Sequence, residues 1–366
     1  MYGSRKNYRG RPPDRNRRDR GHPPRKNNRR ARDKDEKRIK YVVPGKTLNL
    51  LHDPLRGVDN LSLKLEKYAP FEVDKNGSKK PSIKALQNIP EALRMTKEAR
   101  ELYRKFFEEH KKMLDSLKAK KLDIDMKNTS RLVVGLGDES VYEVSIRLMR
   151  NYGVPYIPGS ALKGVARAYV IEMLAEILTE HSNLCNDFFE CAGNVQGWLN
   201  GGAVDNFPER VRVESRSKQL EEFLGIFLRE PIPEEIPVRK IAQTAVTMFG
   251  TTEKEGSVVF FDALPYPEPL ESSNGEVLEF DIMNPHYGPY YQGEGNANPP
   301  GDWYDPVPVP FITVKEGVKF LFAVGRSKTC KDQELVNKAE KLLKLALKEH
   351  GAGAKTSLGY GKFGEV

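Results

Sequence analysis

Lys163 and Arg167 stand four residues apart, just after Pro158-Gly159-Ser160 and inside an apolar periodic run. Residues at i and i+4 share a helical face, so the pair is spaced to follow a chain of phosphates. Pro158 fixes its own φ and Gly159 permits close backbone approach. Ser160 is placed to cap the amides that a helix leaves unpaired at its start. Such amides, together with the helix dipole, favour an anion. The same residues also suit an ordinary turn-then-helix with two solvated cations.

A second candidate lies at the other end of the chain. Gly351-Ala-Gly353-Ala-Lys355-Thr356-Ser357-Leu-Gly359-Tyr-Gly361 combines glycines with ammonium and hydroxyl donors. A nucleotide P-loop requires glycine directly before its lysine, and Ala354 stands there instead; the loop also follows a predicted helix rather than a strand. ATP binding is therefore not expected. What remains is a glycine loop through which backbone, Lys355, Thr356 and Ser357 approach a polyanion, or else a conformationally demanding turn.

A third segment runs Asp281-Ile-Met-Asn-Pro-His286-Tyr287-Gly-Pro-Tyr290-Tyr291, with Trp303 and Tyr304 following a Gly/Asn/Pro stretch. The rings are suited to stacking on unpaired bases. His286 with Asp281 has the makings of an acid/base pair for RNA cleavage. The plainer reading is a proline-rich loop pinned by its own aromatics. A single histidine without a second acid or base is thin support for a ribonuclease.

Positioning these residues requires a mixed set of elements. After an irregular, turn-rich stretch from Tyr41 to Leu65, helical spacing predicts a long helix over 91–121, with Ala99, Leu102, Phe106, Met113 and Leu117 inward. It reads as an amphipathic insertion packed on the core. Short β-type runs follow at Arg131–Gly137 and Val141–Leu148, then a helix from the Pro158 turn to about Thr179. Residues 182–237 read as a loop-rich insertion. A short helix is predicted at Ile241–Phe249, strands at 258–262, 277–281, 311–314 and 318–324, and a last helix over 332–349 stopped by Gly351. The order lacks the even alternation of a doubly wound sheet, so the expected class is α+β.

The chain has 366 residues and a formal charge of +9, but the charge is uneven. Residues 1–40 hold 17 Lys+Arg against 5 Asp+Glu, which leaves 43 against 46 for the remainder. The first 40 residues therefore read as a disordered basic tail, either a polyanion-binding arm or a solvated extension. Any RNA surface on the body must be a local patch. Cys185, Cys191 and Cys330 suggest neither a disulfide framework nor a metal site, and the six histidines are scattered, so no metal or cofactor is expected. The sequence has neither an apolar run long enough to span a membrane nor the apolar core of a signal peptide, which points to the cytoplasm.

Pro158, Gly159, Ser160, Leu162, Lys163, Gly164 and Arg167 match the P-G-S-x-L-K-G-x-x-R pattern of the RAMP superfamily of CRISPR-associated proteins. The chain also resembles that family in its G-x-G-x-K-T-S-x-G-x-G loop at 351–361. Asp281-x-Met-Asn-Pro-His-Tyr287 and Pro306-x-Pro-x-Pro-Phe-x-Thr-Val314 narrow the likeness to the sixth-subunit family of type III-B Cmr effector complexes. The resemblance covers about residues 131–366 and leaves the tail and the 66–125 region without a counterpart. It implies a ferredoxin-like (RRM-like) core with helical and loop insertions. It further implies a non-catalytic subunit that caps the backbone filament near the guide RNA 3′ end. Gly159, Ser160, Lys163, Arg167, Gly353, Lys355, Thr356 and Ser357 would then face RNA, with His286 and Tyr287 nearby. The implied partners are guide RNA and target RNA, the backbone subunit, the small helical subunit and the other RAMP cap subunit. The rival function is a metal-independent endoribonuclease in which His286 serves as acid/base.

Overall fold

The computed structural model describes residues 39–364, apart from 53, 74, 75, 88, 90, 91, 123–126, 143, 294–298, 302, 329 and 331. The basic-tail reading thus lies outside the described residues, except at its end. Ile39 and Lys40 belong to a strand and not to the tail, because β1 (Ile39–Tyr41) pairs antiparallel with a strand from later in the chain.

The Tyr41–Leu65 stretch is helical where an irregular path was expected: α1 (Gly45–Leu51), α2 (Pro54–Gly57) and α3 (Leu61–Glu66) occupy it. Asn60 caps α3 by accepting from Leu63 N at 3.2 Å. Next come β2 (Pro70–Val73), which pairs with both β1 and β3 (Lys79–Pro81), and then α4 (Ile83–Gln87).

The long helix is α5 (Lys97–Ser116), started by Thr96 accepting from Ala99 N. It packs on the body as expected, but rotated from the predicted phase. Tyr103, Phe107 and Leu114 are buried, whereas Leu102, Met113 and Leu117 are exposed. The two large rings decide the phase, because they bury more area than the leucine and methionine flanking them. Tyr103 stacks among Phe106, Phe107 and Tyr152, and its hydroxyl donates to the Pro265 carbonyl at 2.5 Å.

After β4 (Lys120–Lys121) and β5 (Lys127–Asn128) comes α6 (Gly159–His181), the centre of the fold. Its apolar stripe, from Leu162 through Ala166, Val170 and Met173 to Ile177, is buried under its neighbours. These include α7 (Phe188–Gly201), which is followed by β6 (Val211–Arg212), α8 (Lys218–Phe227), β7 (Glu235–Ile236), α9 (Val238–Phe249) and β8 (Val258–Phe260). Of these, α7, α9, β6 and β8 all touch α6. The 182–237 segment thus carries two helices, α7 and α8, joined by loops and the short β6–β7 pair. Its starts were legible: Asp187 accepts from Glu190 N and Ser217 from Leu220 N, and Gly202 ends α7 at φ 70°. Cys185 and Cys191 form a disulfide at the start of α7, a pairing that their spacing did not suggest. Six residues apart, they are brought together by the turn that Asp187 caps.

The remaining elements are β9 (Leu264–Pro265), α10 (Pro267–Ser272), β10 (Leu278–Met283), α11 (Gly288–Gln292), β11 (Val309–Val314), β12 (Phe320–Leu321), β13 (Ala323–Arg326), α12 (Gln333–Glu349) and β14 (Phe363–Gly364). β13 is central in a sheet ordered β4-β13-β8, antiparallel throughout. Both α6 and α12 contact β8, α12 also contacts β13, and the two helices touch each other. β10 and β11 form a six-residue antiparallel ladder from Leu278↔Val314 to Met283↔Val309. The Arg131–Gly137 run is extended and not a regular strand, bridging that ladder at Leu132↔Val314. The fold mixes helices and strands without alternating them, as α+β requires. Among the described residues no helix is long and apolar enough to cross a membrane.

Two glycines of α6 should respond oppositely to one methyl group. A Cβ at Gly159 would run into the Phe260 carbonyl, whereas one at Gly164 meets nothing within 4 Å. Gly159→Ala is expected to lower stability by about 1–3 kcal/mol, and Gly164→Ala to raise it by up to about 1 kcal/mol. Chemical denaturation of the two variants beside the parent chain measures both.

Candidate RNA-binding groove

The first turn of α6 lies directly on the end of β8. The Gly159 amide donates to Asp262 Oδ1 at 2.7 Å, and Ile157 exchanges backbone hydrogen bonds with Ala263 at 3.0 and 2.8 Å. Asp262 thus caps the helix across space. Ser160, expected to cap it, is exposed, and the N-cap residue Pro158 offers no side chain for the purpose. The helix start is therefore anchored to its own protein by a carboxylate, which takes one of the amides that an anion would use.

The glycine loop reaches the same region through backbone bonds. Ala354 N donates to the Val133 carbonyl at 2.7 Å, Gly361 N to Arg131 O at 2.8 Å, and Ala352 N to Gly361 O at 2.8 Å. A Cβ at Gly353 would strike the Val133 carbonyl, and one at Gly361 the Ala352 carbonyl, so side chains are excluded where the loop folds back. Lys355 adopts the left-handed conformation at φ 62°, and its carbonyl accepts from Leu358 N and Tyr360 N. Its ammonium lies 5.9 Å from the centre of the Phe311 ring. Thr356 and Ser357 follow in a short 3-10 turn, with Ser357 exposed.

Between helix and loop runs a groove of about 520 Å³. On one side stand Pro158, Ala161, Gly164, Val165 and Ala168; on the other stand Gly351, Gly353, Ala354 and Thr356, with Arg147 and His350 also lining it. No carboxylate lines it among the described residues. The sequence therefore foresaw both walls but not the face. At 100° per residue, Lys163 and Arg167 lie roughly 110–150° round α6 from the groove-lining stripe. Arg167 donates to Asn200 Oδ1 on α7 at 2.6 Å, and burial lowers its pKa from the usual guanidinium value. Lys163 is half-buried and makes no ion pair among the described residues. Gly353 and Thr356 thus line the groove, Gly159 is buried against the end of β8, and Lys163 and Arg167 face elsewhere.

Arg147, His350 and the small-residue stripe were not foreseen. Ala161, Gly164 and Ala168 at i, i+3 and i+7 form a legible signal, since small residues on one helix face permit close approach. Arg147 gave no local signal. It is held by Asp138, with Nε to Oδ2 at 2.7 Å and Nη2 to Oδ1 at 2.6 Å; that hydrogen bonding raises its pKa further. His350 reaches Glu172 on α6 at 2.5 Å and packs edge-on against Tyr169, tying the end of α12 to α6.

Asp281 does not form the expected pair with His286. Its carboxylate accepts from the Tyr360 hydroxyl at 2.7 Å and pairs with Arg131 at 2.9 Å, while Ile282 N donates to its other oxygen at 2.8 Å. Burial pushes the carboxyl pKa up, but the bonds from Tyr360 and Ile282 and the Arg131 charge outweigh it and hold the carboxyl below its usual value. Asp281 is thus an anchor for the glycine loop. His286 is exposed beyond the end of β10, and Tyr287 beside it is half-buried. Tyr291 and Trp303 are 72% and 71% exposed, yet each packs within its own loop, Tyr291 edge-on against Tyr290 and Trp303 against Tyr304 and Gly301.

A depressed folded-state pKa means that Asp281 stabilises the fold above the unfolded carboxyl value of about 3.9. That contribution is lost as pH falls through the lower folded value. Asp281→Asn should accordingly lower stability at pH 7 and flatten the loss below pH 4, read as the difference in denaturation midpoint between the two pH values.

A profile of the RAMP superfamily matches residues 125–364. The chain is 49% identical over 288 residues to the CRISPR system Cmr subunit Cmr6 of Pyrococcus furiosus, covering 78% of this chain and 79% of that protein. It is 27% identical over 113 residues to the CMR subunit Cmr6 of Saccharolobus solfataricus, covering 30% and 37%. Among solved structures it is similar to the crystal structure of Cmr6 from Pyrococcus furiosus, at 50% identity and a TM-score of 0.47, covering 68% of this chain and 97% of that one. It is also similar to a chain of the cryo-EM structure of the type III-B Cmr-beta bound to cognate target RNA, at 21% identity and a TM-score of 0.42, covering 73% and 65%. With its signature helix and glycine loop inside the matched region, the chain belongs to the RAMP superfamily.

Proposed function

We propose that the chain is a non-catalytic RNA-binding subunit of a type III-B CRISPR (Cmr) effector complex. It caps the backbone filament near the guide RNA 3′ end, against the backbone subunit, the small helical subunit and the other RAMP cap subunit. Target RNA pairs with the guide alongside it. The near-half identity to a Cmr subunit over most of both chains supports the assembly. The packing of α6 and α12 on the β4-β13-β8 sheet supports a ferredoxin-like core beneath it.

The observation that carries the RNA-binding reading is the groove itself. Its walls are glycine and alanine backbone, with Thr356 as a hydroxyl donor and Arg147 as a cation; no lining carboxylate repels phosphate among the described residues. Such a surface suits a phosphodiester chain and reads no base. Lys355 stands beside it on the same loop. Against the endoribonuclease reading, Asp281 is committed to Arg131 and Tyr360, which leaves His286 without its proposed acid/base partner.

Lys355→Glu combined with Thr356→Glu should weaken binding of a single-stranded guide-length RNA at least tenfold. It should also make the dependence of log Kd on log salt shallower, by about one for each phosphate no longer held. Unchanged affinity and slope in fluorescence anisotropy would remove the groove from RNA binding. End-labelled RNA incubated with the purified chain should stay full length, with His286→Ala indistinguishable from the parent; cleavage abolished in that variant would establish the nuclease instead.

A further inference from the structure

A second cleft, of about 510 Å³, lies between α8 and α12. Lys341, Lys344 and Lys348 line it together with Ile226, Leu345 and, from α8, Glu222. Positions 341, 344, 345 and 348 repeat at i, i+3, i+4 and i+7, so three ammonium groups and one leucine share a helix face. His350, which lines the glycine-loop groove, lies about 180° round α12 from that face. The two clefts therefore use opposite sides of one helix, and a ligand in one leaves the other open.

The chemistry of the second cleft differs from that of the groove. Among the described residues that line it, three lysines stand with one carboxylate. Lys348 approaches Glu222 and Glu349 only at 3.9 and 3.7 Å while 57% exposed, pairings that an incoming anion can replace at little cost. Ile226 and Leu345 add an apolar surface between the charges. A phosphodiester chain would meet the lysines but leave that surface uncovered. An acidic peptide with an apolar side chain satisfies both.

We propose that this cleft docks an acidic segment of a neighbouring protein subunit, its carboxylates on Lys341, Lys344 and Lys348 and an apolar side chain against Ile226 and Leu345. The proposal rests on the reading of the chain as a subunit of an assembly. Carbodiimide treatment of the complex purified from its host joins carboxylates only to amines they touch. Mass spectrometry should then find Lys341, Lys344 or Lys348 linked to Asp or Glu of another subunit. Lys341→Glu with Lys344→Glu should reduce retention of that subunit more than tenfold, while the isolated full chain binds single-stranded RNA within twofold of the parent. Links confined to this chain, or undiminished retention, overturn the proposal. Loss of RNA affinity with the subunit retained overturns it in favour of an RNA contact. A chain that purifies without partners sinks the assembly reading, and this inference with it.

Discussion

Close packing of the α6 start on the end of β8 is the constraint on which the rest of the structure depends. Gly159 rests on the Phe260 carbonyl with no room for a side chain, and Asp262 accepts from its amide. The contact fixes where a 23-residue helix begins and how it crosses the sheet. The helices α7, α9 and α12 are then laid against α6. A single glycine can hold this role because its lack of a Cβ lets helix and strand backbones approach to contact.

The same logic of backbone approach builds the groove. Gly351, Gly353 and Gly361 fold the loop onto Val133 and Arg131, and the small residues of α6 keep the facing wall low. Charge is used sparingly and held by partners: Arg147 by Asp138, His350 by Glu172, Asp281 by Arg131 and Tyr360. The body's near balance of acid and base agrees with this pattern, because a groove built from backbone and a few placed donors needs no large field. The second cleft is built differently, with lysines clustered on a helix face.

α5 shows how pattern and packing divide the work. Its amphipathicity marks it as a helix lying on the core, and it does lie there. The rotation about its axis is set by Tyr103 and Phe107, whose rings and hydroxyl find Tyr152, Tyr266 and the Pro265 carbonyl. Those partners are distant in sequence, so the count of leucines gave the wrong phase.

By itself, the sequence determined the elements whose signals are local: α6, α12, the β10 and β11 runs, and the glycine loop with its excluded nucleotide-binding geometry. It also held the caps Asp187 and Ser217, from which α7 and α8 were readable. Only the tertiary structure decided which face of α6 meets the glycine loop. The apolar spacing marks the buried side of α6, but not which neighbour lies along the rest of the helix. For that reason the two cations of the signature face away from the groove that the signature helps to build. Asp281 likewise found Arg131 and Tyr360, 150 and 79 residues away, instead of the histidine five residues on, because a strand carries its side chains to whatever packs beside it.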